Sequence, residues 1–444
     1  MQAPRPDRRQ FLAATGSAFA ALLASGCMTR GAALPEAPPA FDGYGPLVSD
    51  PAGMLDLPRG FSYRVLSSLG DPMSDGGTVP DKADGMGCLD LGNDEIVLVR
   101  NHELVPGDDA GGPIAKGFGT REGKIVPGGT TNIVLDARTL AVKRQFRTLG
   151  GTIRNCSGGV TPWSSWLTCE EAPTGPGQRY GEGLAVNHGW VFEVPGDASG
   201  LVEPVPLRAM GRFNHEAACV DPATGHVYLT EDRDEGVLYR FVPSTPGRLA
   251  DSGRLQAMVI DDLPDTRNWE SAAMPVGKSY PVRWIDCEDV EAPADDLRFR
   301  SAAKGASLIA RGEGIHMGTG EFYVCSTSGG AAQLGQVFRV VPGRGAGPDR
   351  IELFFESESE EQFNYGDNLT VGPNGHLIVC EDQYTEIVDN YLRGITPDGR
   401  PYPFGRLRMQ TELAGGCFSP DGKWFFVNAY SPARTIAITG PWAA

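Results

Sequence analysis

Short apolar segments alternate with turn residues along most of the chain, in a layout that recurs. A polar residue, a short apolar strand, a turn rich in Gly, Pro or Asp, and a second apolar strand with a polar or acidic end follow one another six times. The six copies span Asp84–Glu103, Asn155–Glu171, His215–Arg233, Gly312–Thr327, Gly366–Asp382 and Leu413–Tyr430. This pattern predicts six β-hairpins.

The recurrence of the hairpin also predicts the fold. No long segment has the 3.6-residue period of an amphipathic helix. Repeated short strands favour an all-β chain, a six-bladed β-propeller with irregular insertions, because the spacing between copies is uneven. A pair of packed β-sheets is the alternative, but it gives no reason for the same register to recur. We expect residues 51–444 to form a single propeller domain.

The N-terminus has the features of an export signal. Asp7-Arg8-Arg9-Gln10-Phe11-Leu12 is a twin-arginine pattern, and the apolar stretch behind it is too short for a membrane span. Residues 1–27 are therefore predicted to be a Tat signal peptide, with the Tat translocase as partner during export. Ser25-Gly26-Cys27 resembles the end of a lipobox, which predicts lipidation of Cys27; cleavage and release is the alternative. Residues 28–50 are predicted to be a flexible tether, and the protein to be periplasmic or anchored at the outer surface.

The charge balance excludes one class of partner. The chain has 39 basic and 56 acidic residues, a net charge of −17, and no basic run follows the signal segment. We therefore expect a small-molecule ligand, no nucleic acid, and a monomer. The acidic excess is either a solvated surface or a set of cation ligands.

Metal-capable residues recur at matching places in the hairpins. Four residues before the last apolar residue of each first strand stand Gly85, Cys156, Glu216, Glu313, Asp367 and Ala414. The second strands end in Asn101-His102-Glu103, Glu170-Glu171, Glu231-Asp232 and Glu381-Asp382. In a propeller these positions converge at the mouth of the central channel, where carboxylates repel unless protons or cations neutralise them. Oxygen ligands suit Ca²⁺ or a ferric ion, and one thiolate among them suits a transition metal. Solvated acidic loops and a core cysteine are the alternative explanation.

Several segments together resemble the PhoX alkaline phosphatase family. They are Cys156-Ser-Gly-Gly-Val-Thr-Pro-Trp163, Leu167-Thr-Cys-Glu-Glu171, Asn214-His-Glu216, Arg311-Gly-Glu313 and Gly366-Asp-Asn368, behind a Tat signal. The resemblance covers most of residues 50–435. It implies a six-bladed propeller that hydrolyses phosphate esters, as a phosphomonoesterase or a diesterase, with a cluster of Fe³⁺ and Ca²⁺.

The resemblance also implies roles for individual residues. Cys156 would bind iron and Glu171 would be a further ligand of the iron cluster. Glu216 and Glu313 would bridge or ligate the cluster metals. The shell, mostly around calcium, would be completed by Glu231, Asp367, Asn368 and Glu381. Arg311 would hold the phosphate, and as a guanidinium it could clamp two oxygens at once.

The chain departs from the family at one position. The family uses a lysine on the substrate, upstream of the iron-binding cysteine, and no lysine stands just before Cys156. The nearest cationic residues are Lys143, Arg144, Arg147 and Arg154. This departure leaves substrate choice open more than it affects the metals.

Two other functions remain open from the residues alone. A calcium-dependent hydrolase of another kind, such as a lactonase, would need one calcium ion and a His/Asp pair instead of a thiolate. A non-catalytic propeller would bind a partner or a polymer.

Three of the cysteines, Cys88, Cys219 and Cys417, occupy matching places in three hairpins. This position predicts buried core residues and not disulfide partners. Any pairing among Cys169, Cys287, Cys325 and Cys380 is left open.

Overall fold

The computed structural model describes residues 43–442 apart from 179–180, 346, 384 and 386–388. The predicted signal peptide, residues 1–27, lies outside the described residues together with Cys27 and residues 28–42 of the predicted tether. Within the described part of the chain, no helix combines the length and the apolar character that a membrane crossing requires.

The described residues are organised almost entirely as β-strands. In chain order, the strands are β1 (Leu47–Val48), β2 (Leu55–Pro58), β3 (Ser62–Ser68), β4 (Ala83–Gly92), β5 (Glu95–His102), β6 (Thr120–Arg121), β7 (Lys124–Ile125), β8 (Gly128–Asp136), β9 (Val142–Thr152), β10 (Asn155–Val160), β11 (Ser165–Glu170), β12 (Val191–Pro195), β13 (His215–Val220), β14 (Val227–Glu231), β15 (Gly236–Val237), β16 (Tyr239–Pro243), β17 (Gly253–Val259), β18 (Ser279–Asp286), β19 (Leu308–Ile309), β20 (Gly312–Met317), β21 (Phe322–Ser326), β22 (Gln336–Val341), β23 (Asp349–Glu356), β24 (Gly366–Val371), β25 (Leu377–Glu381), β26 (Tyr391–Ile395), β27 (Pro401–Leu407), β28 (Leu413–Phe418), β29 (Trp424–Ala429) and β30 (Arg434–Thr439). Helix in this part of the chain is limited to α1 (Leu297–Ala303) and a 3₁₀ turn at Arg208–Met210. The expectation of an all-β chain is confirmed.

All six predicted hairpins are present as antiparallel strand pairs. They are β4–β5, β10–β11, β13–β14, β20–β21, β24–β25 and β28–β29, numbered here as hairpins one to six. Their first strands, called the inner strands below, contact one another in chain order, and β28 contacts β4. The inner strands therefore form a closed ring, which is the arrangement of a propeller.

The ring is closed by strands from opposite ends of the described chain. The sheet of hairpin six runs in the order β28-β29-β30-β3, so the early strand β3 is its outermost member. Ser62 of β3 pairs with Thr439 of β30, and the pairing continues to Ser68 and Arg434. Closure of this kind leaves no gap between the first and last sheets.

The sheets do not separate into six equal blades. Hairpins one, two, five and six have sheets of their own, with four, three, six and four strands. Hairpins three and four share one nine-stranded sheet, because β18 pairs with β17 on one side and with β23 on the other. The prediction of an all-β, propeller-like fold is confirmed. The strand pairing of the described residues gives five large sheets, not six.

Apolar side chains fill the spaces between neighbouring sheets. One cluster joins hairpins two and three through Leu167 and Phe241, both fully buried, and another joins hairpins four and five through Val337 and Val379. A strand that is packed on both faces has an uninterrupted run of apolar residues in its sequence, such as Val97-Leu98-Val99 of β5. This packing holds the inner strands at fixed positions around the ring.

Residues near the end of the predicted tether contact the packed sheets. Leu47–Val48 pairs with β2, and the ring of Tyr44 meets those of Phe61 and Trp442 edge to face. These contacts bury aromatic surface that a flexible tether would leave in water.

The eight described cysteines are all thiols. Cys219 and Cys417 are buried, and Cys88 is partly buried. The expectation that these three do not form disulfides with one another is confirmed.

Close approach of the inner strands makes a glycine necessary in β10. A Cβ at Gly159 would clash with the carbonyl oxygen of Ala218 on the adjacent inner strand β13. We expect Gly159→Ala to lower the free energy of unfolding by about 1–3 kcal/mol through overpacking. The control is Gly200→Ala, where no atom lies within 4 Å of the added Cβ. Equal denaturation midpoints for the two variants would contradict this account of the ring.

Candidate metal centre

Each inner strand carries an irregularity at the same place. The pairing register of all six hairpins shifts within the first half of the inner strand. A bulge of this kind redirects the side chains at the extra residue. The residues at the start of the shift, called the bulge residues below, are Asp84, Cys156, Glu216, Glu313 and Asp367, with Ala414 in the corresponding place of hairpin six.

A backbone hydrogen bond closes each hairpin at the same end. We call the residue before each inner strand the entry residue and the residue after each second strand the exit residue. In every hairpin the exit residue donates its backbone N–H to the carbonyl oxygen of the entry residue. The donor–acceptor pairs are Glu103–Lys82, Glu171–Arg154, Asp232–Asn214, Thr327–Arg311, Asp382–Tyr365 and Tyr430–Glu412, at 2.8–3.2 Å. The ring therefore places entry, bulge and exit side chains of six hairpins at one end of the channel.

Acidic and thiol groups from these positions lie close together. Three sets have ligand atoms within 4.8 Å of one another: Glu103, Cys156 and Glu171; Glu216, Glu313 and Asp367; and Asp367, Asp382 and Glu412. Each set combines residues from two or three hairpins. The second and third sets share Asp367 and are therefore continuous with each other.

Five of the predicted ligands lie in these sets: Cys156, Glu171, Glu216, Glu313 and Asp367. Asn368 lies beside them in a supporting position. Its Nδ2 donates to Asp367 Oδ1 at 2.8 Å, and its Oδ1 accepts the backbone N–H of Gly415 on the next inner strand. The amide therefore orients one carboxylate and links hairpins five and six.

The structure does not bring Glu231 and Glu381 into the sets. Glu231 accepts from Tyr239 Oη at 2.9 Å and pairs with Arg298 at 3.4 Å, and Glu381 accepts from Arg393 Nε at 2.6 Å. Successive residues of a strand face opposite sides. The exit residue that follows each of them lies toward the channel instead.

The sequence patterns missed two acidic residues of the centre. Asp84 is the bulge residue of hairpin one, but counting four residues back from Leu89 selects Gly85, because Leu89 lies five residues beyond the bulge residue in a strand that is longer than the other inner strands. Glu412 is an entry residue, a position that the strand pattern does not include. Alignment of the hairpins on their acidic first residues, not on their last apolar ones, would have identified Asp84.

The centre is buried and short of hydrogen-bond donors. Glu216 is fully buried, and neither of its carboxylate oxygens has a hydrogen-bond partner. Asp84 Oδ1 is also buried without a partner, while Asp84 Oδ2 accepts from Cys156 Sγ at 3.6 Å. Buried polar atoms without partners cost free energy. Unpartnered carboxylate oxygens beside a thiol are the donor set that cations would satisfy, so these residues fit a group of bound metal ions.

Burial and mutual repulsion shift the acids in the same direction. Burial, and then the neighbouring carboxylates, raise the pKa of Glu216 and Asp84 well above their usual range. The same causes raise the pKa of Glu171 to about 8, although Arg154 opposes the change. Burial and Asp84 raise the pKa of the Cys156 thiol. Without cations these groups therefore hold protons, and cations would replace those protons.

Two entry residues bring arginines to the centre. Arg311 donates from Nε to Asp232 at 2.7 Å and from Nη2 to Glu313 at 3.0 Å. Arg154 donates from Nε to Glu103 at 2.8 Å and from Nη2 to Glu171 at 2.6 Å. Arg311 precedes β20 and has a positive φ of 46°, so a turn, and not the alternation of a strand, brings it to the side chain of Glu313.

The other cationic residues upstream of Cys156 lie elsewhere. Lys143 and Arg144 pair with Glu95, and Arg147 donates to the carbonyl of Ala110. Arg154 therefore contacts the centre, whereas these three are engaged away from it.

Two cavities lie along the channel. One of about 550 Å³ borders the centre and is lined by Arg154, Glu171, Asn214, Arg233 and Asp295, among others. The other, of about 260 Å³, is lined by the far halves of the inner strands and is mainly apolar, with Met86 and Met317 in its wall. The polar cavity is the one that a charged ligand of the centre could enter.

The chain is similar to known proteins in sequence and in fold. The family model described as alkaline phosphatase PhoX matches residues 42–433. Among solved structures, Pseudomonas fluorescens PhoX in complex with vanadate, a transition-state analogue, is 19% identical with a TM-score of 0.68, over 87% of this chain and 96% of that one. A gluconolactonase from Xanthomonas campestris is 14% identical with a TM-score of 0.45, over 89% and 98%. No curated relative matches the chain.

The raised pKa values predict how the metal-free protein responds to pH. An acid whose pKa is higher in the folded state binds more protons when folded, so stability falls as pH rises from the unfolded pKa through the folded one. The pKa of Glu171 rises from 4.5 to about 8 and that of Asp367 from 3.8 to about 7. We expect chelator-treated protein to melt at lower temperature at pH 8.5 than at pH 5.

The metal-loaded protein is the control for this prediction. Bound cations would stabilise the ionised carboxylates, so its melting temperature should change less over the same pH range. Thermal melts at several pH values, with metal content measured in each sample, make the comparison. A flat profile for protein shown to be free of metal would contradict the interpretation of a confined acidic centre.

Proposed function

The chain belongs to the alkaline phosphatase PhoX family, and we propose that the three acidic and thiol sets at the channel mouth form its active centre. The protein is a metal-dependent hydrolase of phosphate esters. The main observation for placing the active centre here is that both carboxylate oxygens of fully buried Glu216 have no hydrogen-bond partner. Glu216 lies at the end of the ring where all three sets lie. A carboxylate in that state stays ionised only if a cation accompanies it.

The donor types suggest which cations the sets hold. Cys156 with Glu103 and Glu171 would bind Fe³⁺, because a thiolate favours a transition metal. Glu216, Glu313 and Asp367 would bind a second metal of the cluster. The all-oxygen set of Asp367, Asp382 and Glu412 suits Ca²⁺. Glu231 and Glu381, predicted as ligands, would instead fix Arg298 and Arg393 behind the centre, and Asn368 would orient Asp367.

Arg311 is the proposed phosphate-binding residue. When bound, the metals would neutralise the phosphate oxygens and the charge that develops on the leaving oxygen. Arg311 has a planar guanidinium at the edge of the centre, with 21% of its side chain exposed. Asp232 and Glu313 hold that guanidinium in one orientation, which lowers the entropic cost of binding a phosphate.

The residues of the centre also bear on the alternatives. A calcium-dependent lactonase would use a His/Asp pair, and no histidine belongs to the three sets found among the described residues. A thiol lies in one set instead. These features favour phosphate-ester hydrolysis within the propeller.

The propeller itself is proposed to have six blades. The closed ring of six inner strands supports this count. The nine-stranded sheet would then be two blades, those of hairpins three and four, linked at their outer edges by β18. The insertions between hairpins account for the uneven spacing in the sequence.

The cellular location is proposed from the N-terminal sequence. A Tat signal over residues 1–27 would export the protein folded, as suits a protein that acquires metals first. Lipidation at Cys27 would anchor it on the periplasmic or outer side of a membrane through the predicted tether, residues 28–50. We propose a monomer that acts on small phosphate esters.

A serine in place of Cys156 tests the metal assignment. A thiolate bound to ferric iron absorbs visible light, so the protein should be coloured and should contain iron and calcium. We expect Cys156→Ser to lose the colour and iron, and with them at least most of its activity on an aryl phosphate. Elemental analysis, a visible spectrum and a hydrolysis assay on the same preparation measure all three.

The matched control is Cys219→Ser, which changes a buried thiol in the wall of the apolar cavity. This variant should keep the colour, the metals and the activity. Retained colour in Cys156→Ser would refute the assignment of the thiolate, and a metal-loaded wild type without phosphatase activity would refute the proposed active centre.

Arg311→Lys separates phosphate binding from charge neutralisation. The substitution keeps the positive charge beside Asp232 and Glu313 but loses the planar two-point geometry. We expect the metal content to stay and kcat/KM for an aryl phosphate to fall by about 1–3 kcal/mol of transition-state binding. Steady-state kinetics measure the change, with Arg339→Lys as control because Arg339 pairs with Glu352 on the outer strands. Unchanged kinetics would show that only the charge of Arg311 matters.

A further inference from the structure

We propose that Arg154 is a second substrate-binding arginine, which contacts phosphate oxygens from the side of hairpin two. The inference rests on the proposed active centre and adds a residue to it. It starts from the repeat: Arg154 and Arg311 are the entry residues of hairpins two and four, each two residues before a bulge residue.

The two arginines share a backbone conformation and a pattern of contacts. Their φ angles are 50° and 46°, in the left-handed region that few side-chain-bearing residues occupy. Arg154 spans the carboxylates of Glu103 and Glu171, and Arg311 spans those of Asp232 and Glu313. Each guanidinium thus lies between an exit residue and a second acid of the centre, in the same relation to the ring.

The remaining entry residues do not bring a guanidinium to the centre, although Lys82 and Tyr365 have the same positive φ of 53°. Asn214 and Tyr365 are uncharged, and Glu412 belongs to one of the acidic sets. Lys82 pairs with Asp108 at 2.7 Å, outside the three sets. Of the six entry positions, only those of hairpins two and four bring a guanidinium to the centre.

Arg154 is accessible from the side where a substrate would enter. Its side chain is 32% exposed, compared with 7% for Glu171 beside it, and it lines the 550 Å³ polar cavity. A cation bound by Glu103, Cys156 and Glu171 would compete for the carboxylate oxygens that Arg154 now contacts. The guanidinium would then have donors available for an anion in the cavity, with a geometry that matches two phosphate oxygens.

The test compares Arg154→Lys and Arg154→Gln with the wild type, all loaded with metals. Inorganic phosphate is the probe, as a competitive inhibitor of aryl phosphate hydrolysis and as a titrant in calorimetry. We expect both variants to keep their metals and to bind phosphate about 10–100-fold more weakly, the loss typical of a charged hydrogen-bonding group. Arg144→Lys is the control, since Arg144 pairs with Glu95 on the outer strands and should leave phosphate affinity unchanged.

Each outcome is decisive. Weaker phosphate binding at full metal content supports the proposal, including the case in which only Arg154→Lys keeps its metals and binds phosphate more weakly. Unchanged affinity, or loss of metal from both variants, would overturn it, because Arg154 would then serve only the carboxylates. If the wild type hydrolyses esters and the Arg154 variants bind phosphate as tightly as it does, this inference alone is wrong. If the metal-loaded wild type does not bind phosphate, the proposed function is wrong as well.

Discussion

Confinement of like charges is the constraint on which the centre depends. The ring forces acids from all six hairpins, together with Cys156, into one largely buried space, where Glu216 has no hydrogen-bond donor for either oxygen. Ionised carboxylates at such distances repel strongly in a medium of low polarity. The folded chain can therefore keep its acids charged only if cations accompany them, and metal binding becomes part of the stability of the propeller mouth.

The backbone produces this confinement by repetition. A bulge at the same place in every inner strand and a hydrogen bond between every entry and exit residue set three side chains per hairpin at the channel end. Close contact between inner strands, which glycines such as Gly159 permit, brings neighbouring hairpins near enough for their side chains to share a ligand. Chemical differences between the hairpins then come from the residue type alone.

The sequence reveals the hairpins and most of the centre, since strand pattern and acid positions recur together. The predicted ligands that lie in the three sets are Cys156, Glu171, Glu216, Glu313 and Asp367. The rest depends on one-residue details of register. The longer β4 hides Asp84, and the alternation of strand faces turns Glu231 and Glu381 away in favour of the residues that follow them. Turn conformation, which sets the direction of Arg311, is equally hidden in a strand pattern.

The distribution of charge around the ring divides the centre into two sides. Hairpins two and four carry arginines at their entry positions, and the polar cavity opens beside the first of these. Hairpins five and six carry Tyr365 and Glu412 at the same positions, and Ala414 supplies no ligand. Burial and then Asp382 raise the pKa of Glu412 well above its usual range, so without cations this carboxyl holds a proton that a bound cation would replace. The arginine side is thereby suited to contact an anion, and the side around Asp367 and Glu412 offers oxygen ligands to cations.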